Sequence, residues 1–328
     1  MKSNIVSEEE LRYRQALPLN LKRHLSVDAI RSFLREYGSE GTYISFSGGK
    51  DSTVLADLVW QVDPAVPAVY LDTWMEFPQV RRFVHEYCAG HDLIVIKPTK
   101  SMKQIVKECG WCFPSKDVAE AVDAYRRGLP WAIRKLNGLD KHSKKSAYRQ
   151  RYRKWLKLAE DCPCKISQNC CIEMKEKPAF EFESRTGRKP ILGLMAAESA
   201  RRKEAYMRTG CNAFCVDRPN SKPLGFWTEQ DILHQIVERG LRIAEPYGVI
   251  CTCGLTYGQM NLFSDFSPEC ELCTTKESRT GCIFCPVGGH LDRFAKIKRL
   301  RSYDKRLYEY VMEELRLKDL IAWVLKNY

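Results

Sequence analysis

The stretch Ser47-Gly48-Gly49-Lys50-Asp51-Ser52 gathers two glycines, an ammonium, a carboxylate and two hydroxyls. It follows the β-prone run Tyr43 to Phe46 and precedes Val54, Leu55, Leu58 and Val59, which recur at helical spacing. Strand, glycine turn, helix is the expected order. Glycines let a backbone turn tightly and approach a ligand, and free N–H groups at a helix start, aided by its dipole, favour an anion. Phosphate is the natural candidate. Taken alone, the same letters also suit an ordinary strand-to-helix turn with serine capping. The order differs from the G-x-x-x-x-G-K-[ST] of the Walker loop, and no G-x-G-x-x-G is present here, which weakens ordinary NTPase and dinucleotide-binding readings.

Cysteine is the second source of chemistry. Fifteen occur in 328 residues. In a long chain with no charged-then-apolar leader they point to metal or redox work rather than to disulfides. Cys270, Cys273, Cys282 and Cys285 form two C-x-x-C pairs whose spacing suits a zinc knuckle or an iron-sulfur site. Two C-x-C pairs, Cys162/Cys164 and Cys251/Cys253, suit a second metal site or a transient sulfur relay, and spacing does not choose between them. Cys211 and Cys215, four apart, read as buried helix-end residues.

These groups need a scaffold. A chain of this length with 44% hydrophobic residues can build a packed α/β domain with large insertions or a small second module. No run of about eighteen apolar residues is present, so the expected setting is soluble and cytoplasmic, without a membrane. Strand-like runs at Thr42 to Phe46, Ala68 to Leu71, Leu93 to Ile96 and Ile191 to Leu194 alternate with helical stretches at Ser52 to Gln61, Gln79 to Cys88, Glu198 to Met207 and Thr228 to Arg239. Ser26 reads as the cap of an earlier helix that ends before Gly38. The predicted fold is α/β, with a doubly wound, mainly parallel sheet. The expected organisation is an N-terminal helical segment (1–40), a nucleotide-binding α/β domain (41–240) with a basic helical insertion at about 118–158, and a Cys-rich metal-binding region with C-terminal helices (241–328).

The formal net charge is +12, and it is unevenly placed. Arg126 to Leu158 holds twelve Lys/Arg against the single acid Asp140, interleaved with Trp131, Tyr148, Tyr152 and Trp155. That mixture suits phosphate contacts plus base stacking, or a solvated helical face whose aromatics dock inward.

The hexapeptide resembles the PP-loop, SGGxDS, of the ATP pyrophosphatase or adenine nucleotide alpha hydrolase superfamily; Ser47, Gly48, Gly49, Asp51 and Ser52 all match. The resemblance continues in family order. "YLDTWMEFPQV" is similar to the DTGxxFPET loop of phosphoadenylylsulfate (PAPS) reductases, with Asp72, Thr73, Glu76 and Pro78 in place and Trp74 where glycine is usual. "CCIEMKEKP", Cys170 to Pro178, resembles their CCxxxKxxP stretch. "LGLMAAESARR" resembles GxRxxES/QSxxR through Gly193, Glu198, Ser199 and Arg202, with Met195 replacing the first arginine. "FWTEQDIL" matches a W-x-x-x-D-[IV] helix start. The chain resembles the sulfur-transfer proteins of DNA phosphorothioation systems at least as well.

The resemblance implies ATP held by Ser47, Gly48, Gly49, Lys50, Asp51, Ser52, Asp72, Thr73, Gly193, Glu198 and Ser199, with Lys50, Asp51 (through Mg2+) and Arg202 acting on the phosphates. It implies a [4Fe-4S] cluster on Cys170, Cys171, Cys282 and Cys285, with zinc as the alternative. The implied activity is adenylation with pyrophosphate release for sulfur transfer, served by a sulfur donor protein such as a cysteine desulfurase; if the basic segment 126–158 grips DNA or RNA the substrate is a nucleic acid, and otherwise it is a small sulfur metabolite. A PAPS or adenylylsulfate (APS) reductase and a non-catalytic nucleic-acid-binding module are the alternatives. The reductases keep their nucleophilic cysteine in an ECGIH-type tail. No cysteine follows Cys285 here, so an ATP-using relative is expected.

Overall fold

The structure, a computed structural model, describes residues 5–253 and 271–328. Two compact units are present. One comprises Met1–Asp72, Glu76–Ile96 and Phe180–Gly281, the other Thr73–Met75, Lys97–Ala179 and Cys282–Tyr328. The expected boundaries near 40 and 240 are therefore replaced by an interleaved division. The N-terminal helices belong with the sheet, and the chain leaves that unit after the third strand and returns before the fourth.

The first unit is built on a six-stranded sheet: β1 (Thr42–Ser45), β2 (Ala68–Leu71), β3 (Leu93–Ile96), β4 (Lys189–Leu192), β5 (Asn212–Ala213) and β6 (Asn220–Ser221), in the order β3-β2-β1-β4-β6-β5. All pairings are parallel except β5 with β6. Ile44, Ala68 and Ile191 are wholly buried, as expected of strands covered on both faces. The helix Lys50–Val62 buries Val54, Leu55, Leu58 and Val59, the periodic positions seen in the sequence. Pro78 opens the helix Pro78–Tyr87, where a missing N–H costs nothing. A small antiparallel pair, β7 (Ile250–Thr252) and β8 (Leu272–Thr274), completes this unit.

The helix that ends at Gly38 begins at Leu19, not at Ser26. Ser26 lies mid-helix and buried, donating to the Pro223 carbonyl (2.8 Å) and accepting from the Trp227 indole (2.9 Å). The W-x-x-x-D signature is thus structural. Trp227 is fully buried, while Asp231 completes a capping box with Thr228 and accepts from the buried Lys22 ammonium at 2.6 Å.

The second unit is largely helical, with helices at Met102–Cys109, Lys116–Arg126, Pro130–Leu136, Leu156–Glu160, Ala295–Tyr303 and Leu317–Asn327 among others. Its basic segment is partly self-satisfied. Arg126 donates to the Leu158, Ala159, Cys162 and Cys164 carbonyls, Lys135 pairs with Asp117 at 2.6 Å, and Arg149 donates to the Leu139 carbonyl. Tyr152 and Trp155 are buried and unavailable for stacking, whereas Trp131 and Tyr148 are exposed. Cys211 and Cys215 differ from expectation too. Both follow the helix Ala200–Thr209, and Cys215 is exposed. No helix among the described residues is long and apolar enough to cross a membrane.

Candidate functional site

In an open parallel sheet, ligands bind beyond the carboxyl ends of the strands where the strand order reverses. Here β1 and β4 are neighbours, with Ile44 opposite Ile191 and Ser45 opposite Leu192, and the next strands lie on opposite sides of them. The loops after β1 and β4 therefore flank one crevice.

The β1 loop turns at Gly48, whose φ is +70°. A Cβ there would lie 2.7 Å from Val84 Cγ2 and 2.9 Å from Val80 Cγ1, so only glycine fits. Hydroxyls satisfy the loop amides. Ser47 N–H donates to Ser52 Oγ at 3.2 Å, Gly49 N–H to Ser47 Oγ at 3.3 Å, and Lys50 N–H to the Tyr247 hydroxyl at 3.2 Å. Tyr247 is paired in turn with Thr280 at 2.8 Å. These are neutral acceptors, weaker than phosphate oxygens at the same donors.

Gly193, directly after β4, brings the second loop against the first. A Cβ there would lie 3.3 Å from the Asp51 carbonyl oxygen and 3.4 Å from Ser52 Cα. Ser199 caps the helix Ala200–Thr209 by accepting from Arg202 N–H at 3.3 Å. Glu198 accepts from Met195 N–H at 3.0 Å and forms ion pairs with Arg202 and, at 3.8 Å, Arg279. Burial first, then the neighbouring Arg279 guanidinium, lowers the Arg202 pKa. Asp51 faces these cations. Its Oδ1 is buried with no hydrogen-bond partner among the described residues, and burial raises its pKa against the opposing pull of Lys50, Arg279 and Arg202. A buried, unpartnered carboxylate oxygen beside a phosphate-type loop fits a magnesium ion, which prefers oxygen ligands.

Lys50 departs from expectation. Its side chain is buried, and the ammonium donates to the Ser278 carbonyl at 2.7 Å and pairs with Glu229 at 3.0 Å. Asp72 is buried and held by Arg81 at 2.9 Å. Thr73 falls in the second unit, where it accepts from Met75 N–H at 3.3 Å. Sequence reasoning missed Tyr247, Arg279 and Thr280, which lie about two hundred residues from the loop and carry no motif; Glu229 lay unremarked inside the FWTEQDIL stretch.

In the second unit, Cys170, Cys171, Cys282 and Cys285 line one cavity with Met75, Met174, Trp111 and Phe284, and Cys112 joins them. Cys170 is pushed up to about 12, first by its hydrogen bond with Cys112. Hydrogen bonding with Cys170 raises Cys171, and burial raises Cys285 to about 12. The C-x-x-C turn is tight, with Cys285 N–H donating to the Cys282 carbonyl at 3.1 Å. Among the described residues no group of three or more His, Cys, Asp or Glu side chains is already set around a metal position. The donor set is nonetheless the soft, clustered thiol type that iron-sulfur centres use.

The competing local set is divided. Cys270 lies outside the described residues. Cys273 is cross-strand from Cys251, with sulfurs 3.6 Å apart, and hydrogen bonds to Cys253 in the first unit, while Cys282 and Cys285 line the cavity of the second. The C-x-C pairs also fall in different units. All fourteen cysteines among the described residues are free thiols.

The sequence profile of the phosphoadenosine phosphosulfate reductase domain matches residues 41–252. The chain belongs to this family.

Among solved structures the chain is similar to phosphoadenylyl-sulfate (PAPS) reductase from Candida auris in a phosphate complex, at 15% identity and TM-score 0.41, covering 74% of this chain and 92% of that one. It is also similar to FMN adenylyltransferase from Candida glabrata in complex with ATP, at 12% identity and TM-score 0.37, covering 73% of this chain and 65% of that one, so it spans just under two thirds of that enzyme's length. No curated protein matches.

Family membership gives meaning to two substitutions. Trp74 occupies a position where PAPS reductases usually carry glycine, and its φ is +60°. The backbone there is left-handed, which glycine adopts freely and a bulky residue adopts at a cost of about 1–2 kcal/mol. Met195, in place of the family arginine, is buried and brings no charge. The guanidinium of Arg279 stands beside Glu198 instead.

Proposed function

We propose that this family member is an ATP-using PP-loop enzyme that adenylates a substrate, releases pyrophosphate and passes the adenylate to a sulfur nucleophile. One observation carries the reading. At the carboxyl ends of β1 and β4, phosphate-compatible amides, an unpartnered Asp51 oxygen and the guanidiniums of Arg202 and Arg279 belong to one charge cluster.

The N–H groups of Ser47, Gly49 and Lys50 bind phosphate oxygens in exchange for their hydroxyl acceptors, and the adjoining helix start favours the same charge. Arg202 and Arg279 offset charge that builds on the phosphates as a substrate oxygen attacks the α-phosphorus. Lys50 and Glu229 hold the 278–280 segment against the loop. Asp51 would hold Mg2+, which would supply electrostatic stabilisation to the leaving pyrophosphate. Cys170, Cys171, Cys282 and Cys285 would hold an iron-sulfur cluster, with Cys112 bordering it. Such a centre supplies either sulfur or a brace for the helical unit.

The test is pyrophosphate and AMP release from ATP by the whole protein across candidate acceptors, including DNA and RNA. Arg202→Ala is expected to lower turnover about 100-fold, the usual loss on removing one transition-state charge partner. Sulfite release from a sulfonucleotide without pyrophosphate would select a reductase instead. Nucleic-acid binding with no ATP binding would leave a non-catalytic module.

A further inference from the structure

The pair Cys162-Pro163-Cys164 has no part in the site described above, yet it is organised. It follows the helix Leu156–Glu160 in the second unit, and the Arg126 guanidinium clamps its backbone by donating to the Cys162 carbonyl at 2.6 Å and the Cys164 carbonyl at 2.7 Å. The two thiols hydrogen bond to each other. Cys162 is buried, whereas Cys164 forms part of the wall of a cavity of about 600 Å3. Lys103, Lys107, Lys165 and Arg316 line that cavity against two carboxylates, Glu314 and Asp319. Glu314 pairs with Lys103 at 2.8 Å and Asp319 with Arg316 at 2.7 Å, which leaves a net positive lining around Cys164, the cysteine among the described lining residues.

A thiol presented to a cationic chamber, with a second sulfur bonded behind it, suits capture of a small anionic sulfur species. We propose that Cys164 accepts a sulfane sulfur from a small hydropersulfide, R–S–SH, whose R group carries carboxylates, with Cys162 as the proton acceptor. In that step the Cys164 sulfur attacks the outer sulfur of R–S–SH while its proton passes along the existing hydrogen bond to the Cys162 thiolate, because the forming S–S bond makes that proton acidic. The R–S bond to that sulfur breaks, R–S− leaves with the bonding pair, and Cys164–S–SH is formed. One proton and one neutral sulfur atom move, no external oxidant is consumed, and the total charge is unchanged.

The Cys164 thiol, and to a smaller degree Arg126, lower Cys162 to about 7, while the same bond raises Cys164, so the pair gives up one proton near neutrality and keeps the other. The other groups facing the pair are Asp319 toward Cys164 and Tyr328 toward Cys162.

The inference rests on the sulfur-transfer reading for its purpose, so it is tested without ATP. Whole protein is incubated with glutathione hydropersulfide, and peptides are weighed by mass spectrometry. The expected result is one added sulfur on Cys164, with loading that rises as pH passes through about 7. Cys164→Ser abolishes the addition, and Cys162→Ser slows it about 100-fold, the usual worth of a positioned base. Lys107→Gln is expected to weaken loading by glutathione hydropersulfide and not by an uncharged alkyl hydropersulfide. Equal loading of Cys164→Ser at this peptide, no loading of the parent at pH 8, or recovery only of a Cys162–Cys164 disulfide without retained sulfur would overturn the proposal. Unchanged thermal melting of both serine variants separates loss of the acceptor from loss of the fold. Pyrophosphate release is measured in parallel: sulfur loading without it would reject the adenylation reading alone, and pyrophosphate without loading would reject only the dithiol.

Discussion

Replacing Gly48 by alanine tests the phosphate loop directly, and Gly240 provides its control. Both glycines have positive φ, +70° and +61°, so alanine at either position meets a left-handed backbone penalty of about 1–2 kcal/mol. Reduced freedom of the unfolded chain offsets that by about 0.4–1 kcal/mol. At Gly240, a helix C-cap in the left-handed region, nothing lies within 4 Å of the new methyl, and the net loss should be about 1 kcal/mol or less. At Gly48 the methyl would stand 2.7 Å from Val84 Cγ2 and 2.9 Å from Val80 Cγ1, both on the helix Pro78–Tyr87. Overpacking of this kind adds about 1–3 kcal/mol, so Gly48→Ala should cost about 2–4 kcal/mol. Urea midpoints at unchanged slope read the difference. Because the strain is relieved by moving the loop, ATP affinity by calorimetry should fall about tenfold or more in Gly48→Ala and stay unchanged in Gly240→Ala. Val84→Ala should reduce the cost of Gly48→Ala by about 0.5–3 kcal/mol in a double-mutant cycle. Equal stability of the two alanine variants, or unaltered ATP binding by Gly48→Ala, would refute both the steric argument and the loop's role.

Three further outcomes are expected. Burial raises the folded-state pKa of Asp51, so its contribution to stability is greatest below the ordinary aspartate range near 3.9 and declines as pH rises through the raised value; Asp51→Asn should gain on the parent in urea midpoint between pH 3 and pH 7 while losing Mg2+-dependent ATP turnover, and a pH-independent difference would contradict this. Purified without oxygen, Cys170→Ser and Cys171→Ser should lose iron and visible colour while Cys273→Ser retains both, because Cys273 is engaged with Cys251 and Cys253; iron kept in the first two variants would move the ligands elsewhere. Replacing the exposed Lys144, Lys145, Arg153 and Lys154 by glutamine should flatten the slope of log affinity for duplex DNA against log salt by up to about 3.6, at about 0.9 per lost phosphate contact, and an unchanged slope would make this segment a solvated face.

What the sequence by itself determined was local. The PP-loop was legible because strand, glycine turn and helix are contiguous between Thr42 and Val62, and backbone geometry over that span follows from neighbouring residue types. The runs Ala68–Leu71 and Leu93–Ile96 were legible for the same reason, since short apolar, β-branched segments bounded by turn residues have few alternatives. Ser26 misled because a capping residue and a buried mid-helix serine are the same letter, and only Trp227, two hundred residues on, decides between them. The motif marks Lys50 as a loop residue, but only the fold shows Glu229 and Ser278 within reach of its ammonium. Tyr152 and Trp155 looked like stacking platforms until burial removed them. Tertiary structure alone decided that Arg279 joins Arg202 at Glu198, that Cys112 borders the Cys170 cavity, and that Cys273 turns to Cys251. Each depends on contacts between distant segments, where spacing along the chain carries no information about separation in space and close packing of the whole fold sets the distance.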